Sequence, residues 1–336
     1  MNGVRGVGVR IREVAELAGV STATVSRVLT GVDPVSQELT DRVWAAVRDL
    51  QYRPNRVARR LRRPGHETWA LIIPDVENRF FTSIARGVEA VASEAGIAVF
   101  IGNTDGDPAR LQRYLDTAIA EQVAGVILAP SSPVDDVSRV IEARIPLITV
   151  DQPVTGYELA TIMTDHFEGG RLAGEVLRGH GCRRVAVIAG PQDDPSWNTR
   201  LDGLTSSIGA DAIVAVERGD NRSASGRASM AAILDAGIPL DGLFVTNNLM
   251  TIGALREINA RGIRVPEEVC VVGYDLKNEE WVSEVPVSAV NQSPYKIGRE
   301  AAQQLMDREA GQPIEGGLRL LKPKLRPARL SADGRT

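Results

Sequence analysis

The stretch "IREVAELAGVSTATVSRVLTG", Ile11 to Gly31, decides the first part of the fold. Ile11, Val14, Ala15 and Ala18 recur at helical spacing and predict a short amphipathic helix. Gly19 follows as a C-cap that tolerates positive φ, and Ser21 stands one residue after apolar Val20, where an N-cap belongs. Val25, Val28 and Leu29 form the inner stripe of a second helix, while Thr22, Ala23, Ser26 and Arg27 fall on its other side. A third amphipathic helix is expected from about Gln37 to Leu50. Ser36 would cap it, with Leu39, Val43, Ala46, Val47 and Leu50 facing inward. Two short helices joined by a glycine-containing turn make a helix-turn-helix, whose second helix enters the DNA major groove. A generic three-helix bundle has the same local pattern, so the rest of the chain must choose.

Charge distribution separates this head from the remainder of the chain. Residues 1–64 hold 12 Arg, no Lys and 6 acids, whereas residues 65–336 hold 27 basic and 37 acidic residues. A basic head on an acidic body suggests an anion-binding module joined to something else. The head ends in "PNRVARRLRRPG", Pro54 to Gly65. Pro54 suits the first turn of a helix, but just under two turns of helix are not stable alone in water. A solvated linker, a membrane patch and a nucleic-acid contact all fit an arginine run. The membrane reading needs a large apolar face, which Val57 and Leu61 do not supply.

From Trp69 the pattern changes. Short apolar runs alternate with amphipathic helical stretches: "WALIIP", "IAVFIG", "AGVILAP" and "PLITV", then "RRVAVIAG", "AIVAV", "GLFVTN" and "VCVVGY". Such runs between helices predict parallel sheets covered on both faces. The order repeats loosely in two halves divided near Asp165, and a helix is expected near residues 294–310.

Length and composition agree. At 336 residues, two or three domains are expected, and 43% hydrophobic with 24% charged residues is ordinary for a globular protein. No apolar run approaches the roughly 20 residues of a membrane helix, and the N-terminus has no leader pattern. Cys182 and Cys270 lack metal-type spacing and read as two buried thiols in a reduced, cytoplasmic protein. His66, His166 and His180 also lack metal-ligand spacing. "GVRGVG" follows no strand, and neither a P-loop nor G-x-S-x-G occurs. No enzyme, cofactor or metal is expected.

"AGVSTATVSRVLTG" together with "YRPNRVARRLRR" closely resembles the LacI/PurR family of bacterial transcription regulators. The resemblance continues in order through "IIPDVENRFF", "GVILAPSS", "TDHFEGGRLAG", "IAGPQDDPSWNTRLDG", "VTNNLMTIGAL", "RVPEEVCVVGYD" and "AVNQSPYKIG", so it covers essentially the whole chain. It implies an all-α helix-turn-helix domain at 9–53, a hinge helix and linker at 54–66, and an α/β bilobal, periplasmic-binding-protein-like effector domain at 67–328. The two doubly wound parallel-sheet subdomains would comprise about 67–164 with part of 292–326, and about 165–291, joined by three crossovers.

The resemblance also implies site residues. Base reading falls on Thr22, Ala23 and Arg27, and Arg27 can bond bidentately to guanine O6 and N7. Ser21, Thr24 and Ser26 suit phosphate contacts or capping. In the hinge, Leu61 takes the place of a leucine that wedges into a minor-groove step and kinks the duplex. Asn55, Arg56, Ala58 and Arg59 would lie along backbone and groove, which makes binding salt-dependent.

Ligands of doubly wound sheets bind beyond the carboxyl ends of the strands. Effector candidates are therefore Asp75, Asn78, Phe80, Phe81, Ser131, Ser132 and Asp151 in the first half, and Trp197, Arg200, Asn247 and Asp275 in the second. Several have structural alternatives: Asn78 and Asp275 as helix caps, Phe81 as core. Asn221 stands where several sugar- and purine-binding relatives carry an aromatic ring, a stacking role that Trp197 can take over. Asp194 stands where purine-responsive relatives carry arginine, which argues against a ligand carboxylate there. Asn248 replaces a frequent aspartate, and His166 reads as structural.

The implied protein is a homodimeric, sequence-specific DNA-binding regulator of a pseudo-palindromic operator, controlled by a sugar or related metabolite. The tail "LRPARLSADGRT" has no leucine heptad for a tetramerising coiled coil. A cytoplasmic solute-binding protein or an enzyme on the same bilobal fold is the rival reading.

Overall fold

The structure, a computed structural model, describes residues 11–30, 35–50, 52, 68–192, 194–276, 285–314 and 316–328. The hinge candidates Asn55, Arg56, Ala58, Arg59 and Leu61 lie outside the described residues. The chain divides into two units, 1–66 and 67–336.

The first unit contains α1 (Ile11–Ala18), α2 (Thr22–Thr30) and α3 (Gln37–Asp49). Val14, Ala15, Ala18, Val25, Val43 and Ala46 form its core, with Ile11, Val28, Leu29, Val47 and Leu50 packed against them. The turn is built as its residues require. Gly19 has φ +63°, and the Val20 N–H donates to the Ala15 carbonyl at 3.0 Å, closing α1. Ser21 Oγ then accepts the Thr24 N–H at 3.1 Å, capping α2. Arg42 of α3 reaches back to the Ala18 carbonyl at 2.6 Å and satisfies an end of helix that would otherwise be bare. One expected cap differs. Ser36 occupies the N-cap position of α3, but its hydroxyl makes no capping bond; its carbonyl accepts from Thr40 N and Oγ1 instead. Leu39 is half-buried and stands outside the core set, because α3's inner stripe begins one turn later, at Val43.

The second unit is two lobes. The first holds β1 (Thr68–Ile73), α4 (Arg79–Glu94), β2 (Ala98–Asn103), α5 (Pro108–Ala120), β3 (Gly125–Leu128), α6 (Ser138–Glu142), β4 (Leu147–Val150) and β5 (Ala160–Thr164). The second holds α7 (His166–Gly179), β6 (Val185–Ala189), α8 (Pro195–Ile208), β7 (Ile213–Arg218), α9 (Ser223–Asp235), β8 (Gly242–Val245), α10 (Asn248–Ala260), β9 (Cys270–Tyr274) and β10 (Ser288–Asn291). The chain then returns to the first lobe with α11 (Pro294–Glu309) and β11 (Gly317–Leu321), and ends with β12 (Lys324–Arg326) in the second.

The sheets have orders β11-β5-β4-β3-β1-β2 and β12-β10-β9-β8-β6-β7, all parallel except β12 against β10. Each inner strand faces two cores. Leu71 and Ile73 pack against α4 and α11 residues, while Ala70 and Ile72 pack on the opposite side with Leu111 and Leu115. Ala186 and Ile188 divide from Val185 and Val187 in the same way. That explains why these strands are continuous apolar runs rather than alternating ones. Among the described residues the chain crosses between lobes at 164–166, 291–294 and 321–324. Both thiols were expected to be buried; Cys270 is, but Cys182 is only half-buried, because it lies in the turn before β6.

Candidate functional site

In both lobes the strand order reverses about the first strand of each sheet, β1 in one and β6 in the other. Side chains there find no strand-to-helix connection above them, which leaves a crevice at the carboxyl ends. The two crevices face each other across a cleft of about 750 Å³. Asp75, Asn78, Phe80, Phe81, Ser131, Asp151, Trp197, Arg200, Asn247 and Asp275 all line it; Ser132 does not. Ser132 instead belongs to the turn in which Asp135 accepts the Ser131 and Ser132 N–H groups.

Many of these side chains already hold the scaffold. Asn78 Oδ1 caps α4 by accepting the Phe80 N–H at 3.0 Å, and Asn247 Oδ1 caps α10 by accepting from Met250 at 3.0 Å. Asp75 Oδ1 accepts the Glu77 N–H at 2.8 Å, and Asp194 Oδ1 the Ser196 N–H at 2.9 Å. Phe80 is buried against the first lobe's core and meets Phe81 edge to face at 5.1 Å. Asn78 has a second role: Asn248 Nδ2 donates to its Oδ1 at 3.0 Å, a hydrogen bond from one lobe to the other across the cleft. An aspartate at 248 has no proton to make that bond.

Arg200 organises the second-lobe wall. It is 2% exposed, and its guanidinium lies 4.2 Å from the Trp197 ring centre and 3.9 Å from that of Tyr274. Its N–H groups donate to His166 Nδ1 (3.2 and 3.1 Å), the Thr246 carbonyl (2.5 Å) and Gln292 Oε1 (3.2 Å). The cation is thus sandwiched by two rings and, among the described residues, bonded only to neutral acceptors. Burial, then the Arg200 charge, hold the His166 pKa well below its usual range, so the ring stays neutral and Nδ1 remains an acceptor. His166 lies behind the cleft wall and does not line it, as its structural reading requires. Burial also raises the Tyr274 pKa.

Asp275 accepts Gln292 N at 2.8 Å and Gln292 Nε2 at 2.5 Å. No helix cap by Asp275 is seen among the described residues. Asp151 differs from the other acids. No hydrogen bond to its carboxylate is present among the described residues, and burial pushes its pKa from 3.8 to about 7. Arg200 opposes that rise, while Asp194 and Asp275 add to it.

The lining therefore carries seven carboxylates, those of Asp75, Glu77, Asp105, Asp151, Asp194, Asp220 and Asp275, against the guanidiniums of Arg200 and Arg222. Among the described residues, Trp197 Nε1 and Asn221 Oδ1, a buried donor and a buried acceptor, have no partner. The expectation that Trp197 offers a ring to a ligand is weakened: it is 8% exposed, and one face is taken by Arg200. Sequence reasoning missed Gln292, Tyr274, Asn103 and Asp220. Gln292, Tyr274 and Asn103 directly follow or end a strand and Asp220 stands two residues past β7, so the rule that found the others applied to them too.

In the first unit, Ser21, Thr22, Ala23 and Arg27 are exposed, and Thr24 and Ser26 half-buried, along the outer side of α2. Ser21 is the cap of that helix. Among the described residues there is no group of three or more metal-ligating side chains and no helix long and apolar enough to cross a membrane.

A helix-turn-helix unit followed by a bilobal ligand-binding fold defines a ligand-responsive, DNA-binding transcription regulator. Residues 10–55 match the bacterial regulatory proteins of the lacI family, and residues 69–313 match the periplasmic binding protein domain. The HTH-type transcriptional repressor CytR of Escherichia coli K12 is 31% identical over 320 residues, 94% of each chain. The HTH-type transcriptional regulator CelR of Thermobifida fusca is 35% identical over 90% of this chain and 92% of its own. The lac repressor dimer, solved with operator and the anti-inducer ONPF, superposes with a TM-score of 0.84 at 27% identity, covering 96% of this chain and 98% of that one. The chain belongs to the lacI family.

Proposed function

We propose that this chain is a homodimeric repressor of a pseudo-palindromic operator, controlled by a small, hydroxyl-rich molecule without phosphate or carboxylate, of the sugar or nucleoside type. The acidity of the cleft carries this reading. A phosphate placed among seven carboxylates meets like charge, and the buried cation that would offset it is already bonded to three neutral acceptors. Hydroxyl groups, by contrast, supply donors to Asp151 and both a donor and an acceptor for Asn221 and Trp197. A cleft of about 750 Å³ suits a ligand of one or two rings. The related CelR structure holds cellobiose, which supports the same class of occupant.

On the DNA side, Arg27 reads a guanine, Thr22 and Ala23 contact neighbouring bases, and Leu61 wedges at the operator centre. The rival enzyme reading finds no support in the cleft, whose polar groups are largely committed to caps and turns. A thermal-shift screen of sugars, nucleosides and sugar phosphates tests the proposal, with each hit then assayed for its effect on operator binding. Neutral compounds should stabilise the protein and change operator affinity, and Asp151→Asn should weaken them. A sugar phosphate that binds more tightly than its parent sugar and is weakened by Asp151→Asn would refute it.

A further inference from the structure

A second cavity lies at the crossovers between the lobes, with a volume of about 710 Å³. Its electrostatics oppose those of the cleft. The chain has only four lysines, all its other basic residues being arginine, and three of the four, Lys296, Lys322 and Lys324, line this one groove. The single carboxylate in the lining, that of Asp275, accepts two hydrogen bonds from Gln292. Lys296 has a long, exposed pairing with Glu300 at 3.6 Å, which leaves its charge largely available to a stronger partner.

To these ammonium groups the fold adds the positive end of α11. Its N-cap, Ser293, has φ 62° and makes no side-chain cap. Beside them stand two apolar surfaces that globular packing does not explain, Tyr295 at 42% and Leu320 at 51% exposure. Asn291 Oδ1, also in the lining, is a buried acceptor with no partner among the described residues. Compact point charges next to an exposed ring and a buried acceptor match a phosphate joined to an apolar, donor-bearing ring.

We propose that this groove is a second ligand site, taking a small phosphorylated metabolite. This proposal does not rest on what occupies the cleft. Lys296 belongs to the first lobe and Lys324 to a strand of the second, so a dianion held between them ties the lobes at their crossover and favours one lobe angle.

Titration calorimetry of the full chain with AMP and with adenosine, at low ionic strength, tests the site. AMP should bind, and any binding of adenosine, which the cleft itself can take, should not respond to substitution of the groove's lysines. The triple variant Lys296→Gln, Lys322→Gln, Lys324→Gln should weaken AMP about tenfold or more, as expected for loss of three partly exposed charge contacts. The corresponding triple arginine variant should retain most of the affinity, and Asp151→Asn in the cleft should leave AMP binding unchanged. Circular dichroism melts of the variants check folding, since all three lysines are exposed. Absence of AMP binding at millimolar concentration, equal binding by the glutamine variant, or loss on Asp151→Asn would each overturn the proposal.

Discussion

Asp151 gives the cleft a measurable pH dependence. Its pKa stands at about 7 in the fold against 3.8 ordinarily, a rise of roughly three units at about 1.4 kcal/mol each. The sign follows from proton binding. Below pH 4 the carboxyl is protonated both folded and unfolded and has no effect. Between about pH 4 and 7 the unfolded chain ionises while the folded one holds its proton, so stability falls as pH rises. Above about pH 7 the loss levels off at ~4 kcal/mol. Asparagine cannot ionise. The stability of Asp151→Asn relative to wild type should therefore climb by ~1.4 kcal/mol per pH unit from pH 4 to 7 and then flatten. The intercept depends on how the new amide packs; the slope does not. Urea unfolding followed by tryptophan fluorescence at half-unit steps from pH 5 to 8 measures it, with Trp69 and Trp197 buried in the two lobes as reporters. Groups that do not interact with Asp151 titrate alike in both proteins and cancel. A difference that is flat across this range would refute the enclosed-carboxyl reading. The same linkage reaches ligand binding: a hydroxyl donated to Asp151 favours the carboxylate, so affinity should rise with pH up to about 7.

Arg27→Ala should cost ~1–3 kcal/mol of operator affinity and far less of nonspecific binding, measured by competition at fixed salt; equal losses would remove its base-reading role. Leu61→Ala should reduce operator bending in a circular-permutation gel assay, and unchanged bending would count against the wedge. Gly170→Ala should destabilise the body by about 1–3 kcal/mol or more in urea, because its Cβ would fall 1.8 Å from the Arg200 carbonyl oxygen. A stability change below a few tenths of a kcal/mol would mean that α7 and α8 separate freely.

What the sequence disclosed depended on how strongly each element signals itself. The helix-turn-helix was legible residue by residue, since Gly19 and Ser21 mark a turn through backbone chemistry that tolerates few substitutes. Six of the eight apolar strand runs, β1, β3, β4, β6, β8 and β9, were legible for the opposite reason: strands covered on both faces have few polar positions to confuse them, whereas β2 and β7 are edge strands that stay largely apolar although partly exposed. β5, "ATIMT", and β10, "SAVN", were not singled out as strands, because buried threonines and a serine interrupt their apolar character. Thr149 and Thr161 hydrogen-bond each other at 2.7 Å inside the sheet, so each hydroxyl is satisfied by a neighbour that only the fold supplies. β11 and β12 are exposed edge strands with almost no burial pattern. In the cleft, strand-end position located the lining, but it did not reveal that Arg200 spends its donors inside the protein. That requires knowing that His166, Thr246 and Gln292 converge from three separate segments.

This convergence bears on how a ligand in the cleft is sensed. His166 sits at the first crossover, Gln292 at the second, and Arg200 on α8 bonds both. The Gln292 carbonyl also accepts from Thr164 Oγ1 at 3.3 Å, and the Leu321 carbonyl accepts from Asp165 N at 3.0 Å, so the three crossovers are cross-linked to one another. A change in lobe angle is a rotation about these crossovers, and it must alter the geometry of bonds to a guanidinium that has no spare room between two rings. Arg200 and Asp275 line the cleft, and their partners form the pivot. A ligand that shifts either side chain thereby acts on the pivot directly, and no longer chain of contacts is needed to couple occupancy to lobe angle.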